Sequence, residues 1–447
     1  MKIVIVGGVA AGMSAAAKAG RIDPDAKITI YEKTDIVSWG ACGLPYYVGD
    51  FYDNPNNMIA RPVEKFREAG MDIRTFHEVT AVDPVKKEIT VRNLKTGERI
   101  VDTYDRLMIA TGASAIVPPI KNIDSKGVYI LKSFEDGMVL KKELIKDEYQ
   151  NIVIIGAGYI GIEMIEAAKN LGKKIIRVIQ LDNRILPESF DPEITDVLQK
   201  EIISHEGIDL HLDEMVEEII TDDGKVVGIK TNRGGYSADL VVLATGVRPN
   251  TQFLKDTGIE MLKNGAIIVN CYGKTNIDDI YAAGDCATVY HSVKKENVYI
   301  PLATTANKLG RIVGENLGGK RSCFHGTLGS AAIKVLDMEA GRTGITEKEA
   351  KEMGINYKTV FVKDKNHTNY YPGQTEIYVK LIYNSDTKVL LGAQIASKQG
   401  AVLRVDALAV AIYAELRVDE IGMMDFCYAP PFARTWDVMN VAGNVAK

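Results

Sequence analysis

The chain opens with an apolar run, Lys2 to Val6, that breaks on Gly7-Gly8-Val9-Ala10-Ala11-Gly12 and continues into small residues from Met13 to Gly20. A short apolar run ending on glycine predicts a buried strand, and the alanine-rich stretch a helix. Lys27 to Tyr31 predicts the next strand, ending at Glu32. The same succession returns later: Ile152 to Ile155, then Gly156-Ala157-Gly158-Tyr159-Ile160-Gly161, a helix through Glu163, and a strand from Ile175 to Ile179. Each unit is followed by an apolar run into Ala-Thr-Gly, Leu107 to Gly112 and Leu240 to Gly246, the pattern of strands buried on both faces of a parallel sheet. From Phe324 onward the pattern becomes alternating, as in Glu376 to Ile382, with an amphipathic helix near Val402 to Leu416.

Strand, glycine turn and helix in this order form a βαβ unit that binds a dinucleotide. The glycines let the backbone approach a pyrophosphate at the helix N-terminus, and an acid at the end of the second strand accepts from ribose hydroxyls. Glu32 stands at that position in the first unit, where Val9 replaces the middle glycine of the fingerprint. The second unit has the full GxGxxG, and two such units in one chain are far more specific than one. Its ribose position is Gln180, which selects neither NADH nor NADPH; nearby Asp182 leans toward NADH, with Arg184 beyond.

Cys42 stands alone in Ser38-Trp39-Gly40-Ala41-Cys42-Gly43-Leu44-Pro45-Tyr46-Tyr47, just after the first unit. Pro45 fits the first turn of a helix, so Cys42 is expected just before that helix, where unpaired N–H groups favour a thiolate. A buried cysteine acting as a small hydrophobe is the alternative.

Composition narrows the chemistry. A chain of 447 residues divides into roughly three domains. A net charge of −5 gives no electrostatic case for nucleic acid or an anionic membrane as partner. No apolar run approaches the ~20 residues of a membrane span, and the N-terminus has no signal-peptide pattern, so a cytoplasmic protein is expected. Five cysteines, at 42, 271, 286, 323 and 427, suggest no disulfide framework, and the six dispersed histidines no metal site.

With Ile280-Tyr281-Ala282-Ala283-Gly284-Asp285 added to the two units, the chain resembles the pyridine nucleotide-disulfide oxidoreductases nearly throughout. The resemblance implies an α/β fold of two Rossmann-like domains, one for FAD and one for NAD(P)H, plus a C-terminal α+β dimerisation domain. The expected boundaries are 1–112 and 245–322 for FAD, 113–244 for NADH or NADPH, and 323–447 for the dimer interface. It assigns Gly7, Gly8, Gly12 and Glu32 to the ADP half of FAD and Asp285 to its ribityl chain. Gly156, Gly158, Gly161 and Glu163 fall to NAD(P)H.

Classical disulfide reductases of the family carry a Cys-x4-Cys pair, and here the second position is Tyr47. Cys42 would therefore cycle through a mixed disulfide, a persulfide or a sulfenic acid. That resembles the single-cysteine branch: coenzyme A-disulfide and persulfide reductases, NADH oxidases and NADH peroxidases. A peroxidase-type histidine in the first glycine turn is replaced by Ala10. The segments 367–373 and 426–432 resemble those through which coenzyme A-disulfide reductases bring two tyrosines to the thiol from the partner subunit, which by carry-over are Tyr371 and Tyr428. Simple dimer packing is the other role for such tyrosines. Arg21 matches a phosphate-binding arginine for coenzyme A, with Lys18 and Arg61 as further cations, and Ser38 belongs to the substrate loop. Ser38-Trp39-Gly40-Ala41 departs from the reductases' Ser-Phe-x-Asn, which leaves the acceptor open.

The expected activity is NAD(P)H-driven reduction of coenzyme A disulfide or a related small disulfide or persulfide, within cell redox homeostasis, by a homodimer whose site is shared across the interface. Coenzyme A carried on Cys42 is part of that expectation. The alternatives are four-electron reduction of oxygen to water, and an electron-transfer flavoprotein serving a small redox protein with Cys42 merely structural. Cys427, next to Tyr428, is a candidate resolving thiol.

Overall fold

The computed structural model describes residues 1–446, which divide into two compact units. The first unit comprises 1–43, 54–115 and 247–327, and the second 44–53, 116–246 and the described residues from 328 onward.

In the first unit, Lys2–Val6 is the middle strand of a five-stranded parallel sheet. Lys27–Glu32 and then Asp72–Thr75 lie on one side of it; Arg106–Ile109 and then Ile280–Ala282 lie on the other. Ile3, Val4 and Ile5 are fully buried, as a strand covered on both faces requires. The helix expected from Met13 begins earlier, running Ala10–Ile22, because its first turn is already formed within the glycine loop.

Helix Ala303–Leu317 packs along Ala10–Ile22 through glycines spaced every four residues, which put one face of small residues against another. A Cβ on Gly310 would come within 2.6 Å of the Ala11 carbonyl oxygen, and one on Gly314 would collide with that of Ala15. Gly318, just beyond the helix, lies equally close to Ile22. Lys18 reaches across to Glu315 at 3.0 Å. The chain leaves this unit along Ala113–Ala115 and returns along Val247–Pro249, two antiparallel strands braced by Asn250, whose side chain donates to the Thr111 carbonyl.

The second unit repeats the parallel sheet with its middle strand at Asn151–Ile155. Ile175–Ile179 and Ile208–His211 flank one side, Leu240–Leu243 and Val128–Ile130 the other. The strand at the far edge comes after the insertion in the first sheet and before the glycine turn in the second. The C-terminal part of this unit is built on an antiparallel sheet in the order Ala331–Val335, Met338–Gly344, Leu390–Ser397, Glu376–Asn384 and Tyr357–Lys365, with helix Ala401–Tyr413 against two of its strands.

Fully buried Lys380 of that sheet meets Glu193 at 2.7 Å, Glu347 at 2.5 Å and Asp191 at 3.6 Å, and Gln394 donates to Asp191 at 2.6 Å. The lysine pKa is raised: burial lowers it, and the three carboxylates more than offset that.

One expectation is corrected. Cys271 and Cys323, 52 residues apart, form a disulfide, with Cα atoms 5.0 Å apart. Their sequence spacing carries no signal because the strand-to-helix path brings them together only in the fold. Among the described residues, no helix is long and apolar enough to cross a membrane.

Two substitutions test the packing. Gly314→Val should force the paired helices apart and cost about 3 kcal/mol or more, read as a lower thermal midpoint. Lys380→Met should cost about 3–5 kcal/mol at neutral pH by stranding three carboxylates, with part recovered in acid.

Candidate active site

Both glycine turns are built alike. Gly7, at φ +105°, donates its N–H to the Tyr31 carbonyl at 2.9 Å, and Gly156, at φ +102°, donates to Ile179 at 2.8 Å. A Cβ on either would strike the neighbouring strand, at Ala110 or Ala244. A Cβ on Gly12 or Gly161 would strike the carbonyl of the turn's own first glycine, so each helix starts pressed against its strand.

The second residue of each turn is held by the side chain that ends the second strand. Gly8 N–H donates to Glu32 Oε2 at 2.7 Å, and Ala157 N–H to Gln180 Oε1 at 2.8 Å. The other oxygen of Glu32 accepts from the Thr34 backbone and hydroxyl, both at 2.9 Å. Gln180 Nε2 donates to Asp182 at 2.8 Å, which fixes an exposed carboxylate beside the second turn.

These turns fit dinucleotides. Neither helix N-terminus, at Val9 or Gly158, is capped by a side chain or has an acid in its first turn, unlike Phe134–Leu144 with its Ser133 capping box. The leading N–H groups are thus left for an anion. A Cβ on Gly158 would meet nothing within 4 Å, so the backbone there is open to a close approach. Asp285 follows Ile280–Ala282 at the same sheet edge as the first turn. Gly284, at φ +85°, lets that loop close on Ala11, and Tyr299 donates to the Asp285 carbonyl at 3.0 Å. The Tyr299 brace gives no sequence signal, being a single hydroxyl 14 residues downstream.

The thiol loop is attached to the first turn. Ser38 N–H donates to the Gly8 carbonyl at 2.8 Å, with Ser38 in the left-handed region at φ +50°. Gly40 N–H donates to Met58 and Ala60 N–H to Ser38, each at 2.8 Å, so the loop is fastened on both sides. Cys42 lies in a 3-10 turn, Ala41–Gly43, directly ahead of helix Leu44–Val48 in the chain; it is exposed and outside any disulfide. Tyr47, where a second cysteine would stand, is buried. Of the expected cations, Arg21 is exposed at the end of its helix, Lys18 is engaged by Glu315, and Arg61 stacks over Phe66.

Two results refine the sequence reading. The phenol that meets Tyr428 is Tyr370, at 2.6 Å between hydroxyls, while Tyr371 sits edge-on to His367. The turn at 368–371 sends these adjacent tyrosines different ways, so Tyr370 joins Tyr371 and Tyr428 as a third phenol of this segment. The bond from Tyr370 holds the Tyr428 phenol above its ordinary pKa. Glu163, one turn into the second glycine helix, meets the Tyr46 hydroxyl at 3.5 Å. Burial pushes its carboxyl up to about 7, against the pull of Tyr46 and with a further push from Glu166.

A separate group, Glu201, His205 and Asp337, has the spacing of metal ligands. The Lys398 ammonium, 3.9 Å from Glu201 and 3.3 Å from Asp337, already serves these carboxylates.

Residues 1–310 match the family described as pyridine nucleotide-disulphide oxidoreductase, and residues 330–439 match its dimerisation domain. An NAD(P)H coenzyme A polysulfide/persulfide reductase of Pyrococcus horikoshii is 37% identical, the match covering 100% of this chain and 98% of the relative. A coenzyme A disulfide reductase of Staphylococcus aureus is 30% identical, with 100% of both chains covered. The structure of a water-forming NADH oxidase from Lactobacillus brevis bound to NADH superposes with a TM-score of 0.95 at 33% identity, covering 100% of this chain and 98% of that one.

The raised carboxyl of Glu163 sets a pH dependence. The folded state binds this proton more tightly than the unfolded chain, so stability is lost as pH rises from about 4.5 to about 7. Glu163→Gln should be more stable than the parent above pH 7 by up to about 3 kcal/mol, and equal to it below pH 4. Thermal midpoints across that range decide it; a constant offset would count against the assignment.

Proposed function

Because the chain belongs to the pyridine nucleotide-disulphide oxidoreductase family, we propose that it uses NAD(P)H to reduce coenzyme A disulfide, or a related small disulfide or persulfide, through Cys42 alone. The observation that carries this reading is the exposed thiol of Cys42 on a loop hydrogen-bonded to the first glycine turn, with buried Tyr47 in place of a second cysteine. FAD, when bound, supplies a two-electron relay between NAD(P)H and sulfur.

The Cys42 thiolate attacks one sulfur of the substrate. The substrate S–S bond breaks, a Cys42 mixed disulfide forms, and the first thiol leaves with a proton. Two electrons and a second proton then cleave the mixed disulfide, releasing the second thiol and restoring the thiolate. In sum, NAD(P)H, one proton and one disulfide give NAD(P)+ and two thiols. Gly7, Gly8, Gly12, Glu32 and Asp285 hold FAD in this reading, and Gly156, Gly158, Gly161 and Glu163 hold the nicotinamide nucleotide. Arg21 and Ser38 receive the substrate.

Tyr371 and Tyr428 would come from the second subunit of a homodimer, with Tyr370 and Tyr428 as a hydrogen-bonded pair. One phenol donates to the other, which leaves one hydroxyl hydrogen to bond a departing thiolate. Asp182 favours NADH, since a fixed carboxylate repels the 2′-phosphate of NADPH.

Reduction of oxygen to water is the second reading, favoured by the likeness to the Lactobacillus brevis oxidase and by Ala41 standing where the reductase motif has asparagine.

Cys42→Ser should lower disulfide turnover by about three orders of magnitude or more, while anaerobic reduction of the flavin by NADH persists. Full disulfide turnover in that variant would reject a thiol mechanism and favour an electron carrier. Rapid NADH consumption that needs oxygen, beside negligible disulfide or persulfide turnover, would select the oxidase. Asp182→Ala should shift the NADPH-to-NADH ratio of kcat/KM upward by about tenfold.

A further inference from the structure

The disulfide between Cys271 and Cys323 has no part in the reaction above. Cys323 lies six residues beyond helix Ala303–Leu317, and Cys271 beside it on a segment that returns to the Asp285 loop. What aligns the two does not depend on the S–S bond. Phe324 N–H donates to the Cys271 carbonyl at 2.7 Å. Asn316 Nδ2 donates to the carbonyls of Tyr272 and Ser322 at 2.9 and 2.8 Å, and Ser322 N–H returns a bond to Asn316 Oδ1 at 2.8 Å. Arg321 stacks over Tyr272, 5.2 Å from the ring centre.

A dithiol in this frame stays within bonding reach, so closing the bond needs no change of backbone path. Both cysteines are partly exposed, which gives a small disulfide access to them.

The clasp acts on the Asp285 loop. Ile267 N–H donates to the Cys286 carbonyl at 2.9 Å and Thr288 N–H to the Ile267 carbonyl at 2.8 Å, while Val269 N–H donates to Thr288 Oγ1 at 3.2 Å. The segment ending at Cys271 is therefore hydrogen-bonded to the residues that immediately follow Asp285. On its other side the clasp holds the end of the helix that packs on Ala10–Ile22.

We propose that Cys271 and Cys323 form a second thiol–disulfide site, oxidised by low-molecular-weight disulfides, whose closed form ties the Asp285 loop to helix Ala303–Leu317 and tightens FAD retention. One thiolate attacks the small disulfide, forming a mixed disulfide and releasing one small thiol. The second cysteine attacks the protein sulfur of that mixed disulfide, the Cys271–Cys323 bond forms, and the second small thiol leaves. The protein loses two electrons and two protons, and the small disulfide gains both.

The test uses Cys42→Ser holoprotein, so the outcome does not depend on the activity proposed for Cys42. The protein is reduced, freed of reductant and treated with excess glutathione disulfide. Thiols are then alkylated in denaturant and mapped by peptide mass. A Cys271–Cys323 cross-linked peptide is expected, together with a midpoint for thermal FAD release, read by flavin fluorescence, several degrees higher in the oxidised than in the reduced protein. Adding Cys323→Ser, or separately Cys271→Ser, should abolish both the cross-link and the redox dependence of the midpoint. If both cysteines remain alkylatable after glutathione disulfide, or if the cross-link forms and the FAD-release midpoint stays the same, the proposal is overturned.

Discussion

Close approach of backbone to backbone, at positions that exclude a Cβ, is the constraint on which this structure depends. Gly7 and Gly156 turn the chain away from a parallel strand, and Gly12 and Gly161 let the following helix begin against that strand. Only then do uncapped helix N-termini stand at the sheet edge, with N–H groups available to a pyrophosphate. The same constraint extends through the first unit, where Gly310 and Gly314 admit the carbonyls of Ala11 and Ala15. One set of small residues thus fixes the helix that presents the first turn.

The C-terminal sheet is held to the second Rossmann-like fold by different means. Lys380 is buried among Asp191, Glu193 and Glu347, so its desolvation is offset by three opposite charges rather than by apolar contact. Asp191 immediately precedes helix Pro192–Ile203, which makes the cluster a directional joint between that helix and the sheet strand. Removing the lysine charge leaves three carboxylates facing one another, with Asp191 the most deeply buried of them.

Local pattern revealed the two glycine turns, their strands, the alternating C-terminal strands and the isolation of Cys42, because each depends on residues adjacent in sequence. The residues that complete the site depend on distant neighbours. Tyr299 reaches Asp285, and Asn250 braces the crossover at Thr111, contacts that no local periodicity encodes. The hydrogen bond between Tyr370 and Tyr428, 58 residues apart, is likewise invisible to local pattern. The four-residue spacing of Gly310, Gly314 and Gly318 was present in the sequence, opposite Ala11, Ala15 and Ala19, and marks a close helix pair wherever small residues recur at that interval. Cys271 and Cys323 were individually visible, but 52 residues of intervening fold decide that they meet.

Glu32 and Gln180 occupy equivalent places and make the same bond to the second residue of their turns, yet one is an anion and the other neutral. A charge-assisted hydrogen bond is about twice as strong as one between neutral groups. The latch on the first turn is therefore the firmer of two otherwise matched latches. That asymmetry suits the proposed division of labour between a resident and a visitor, with FAD kept at the first turn through many cycles and the nicotinamide nucleotide exchanged at the second in each.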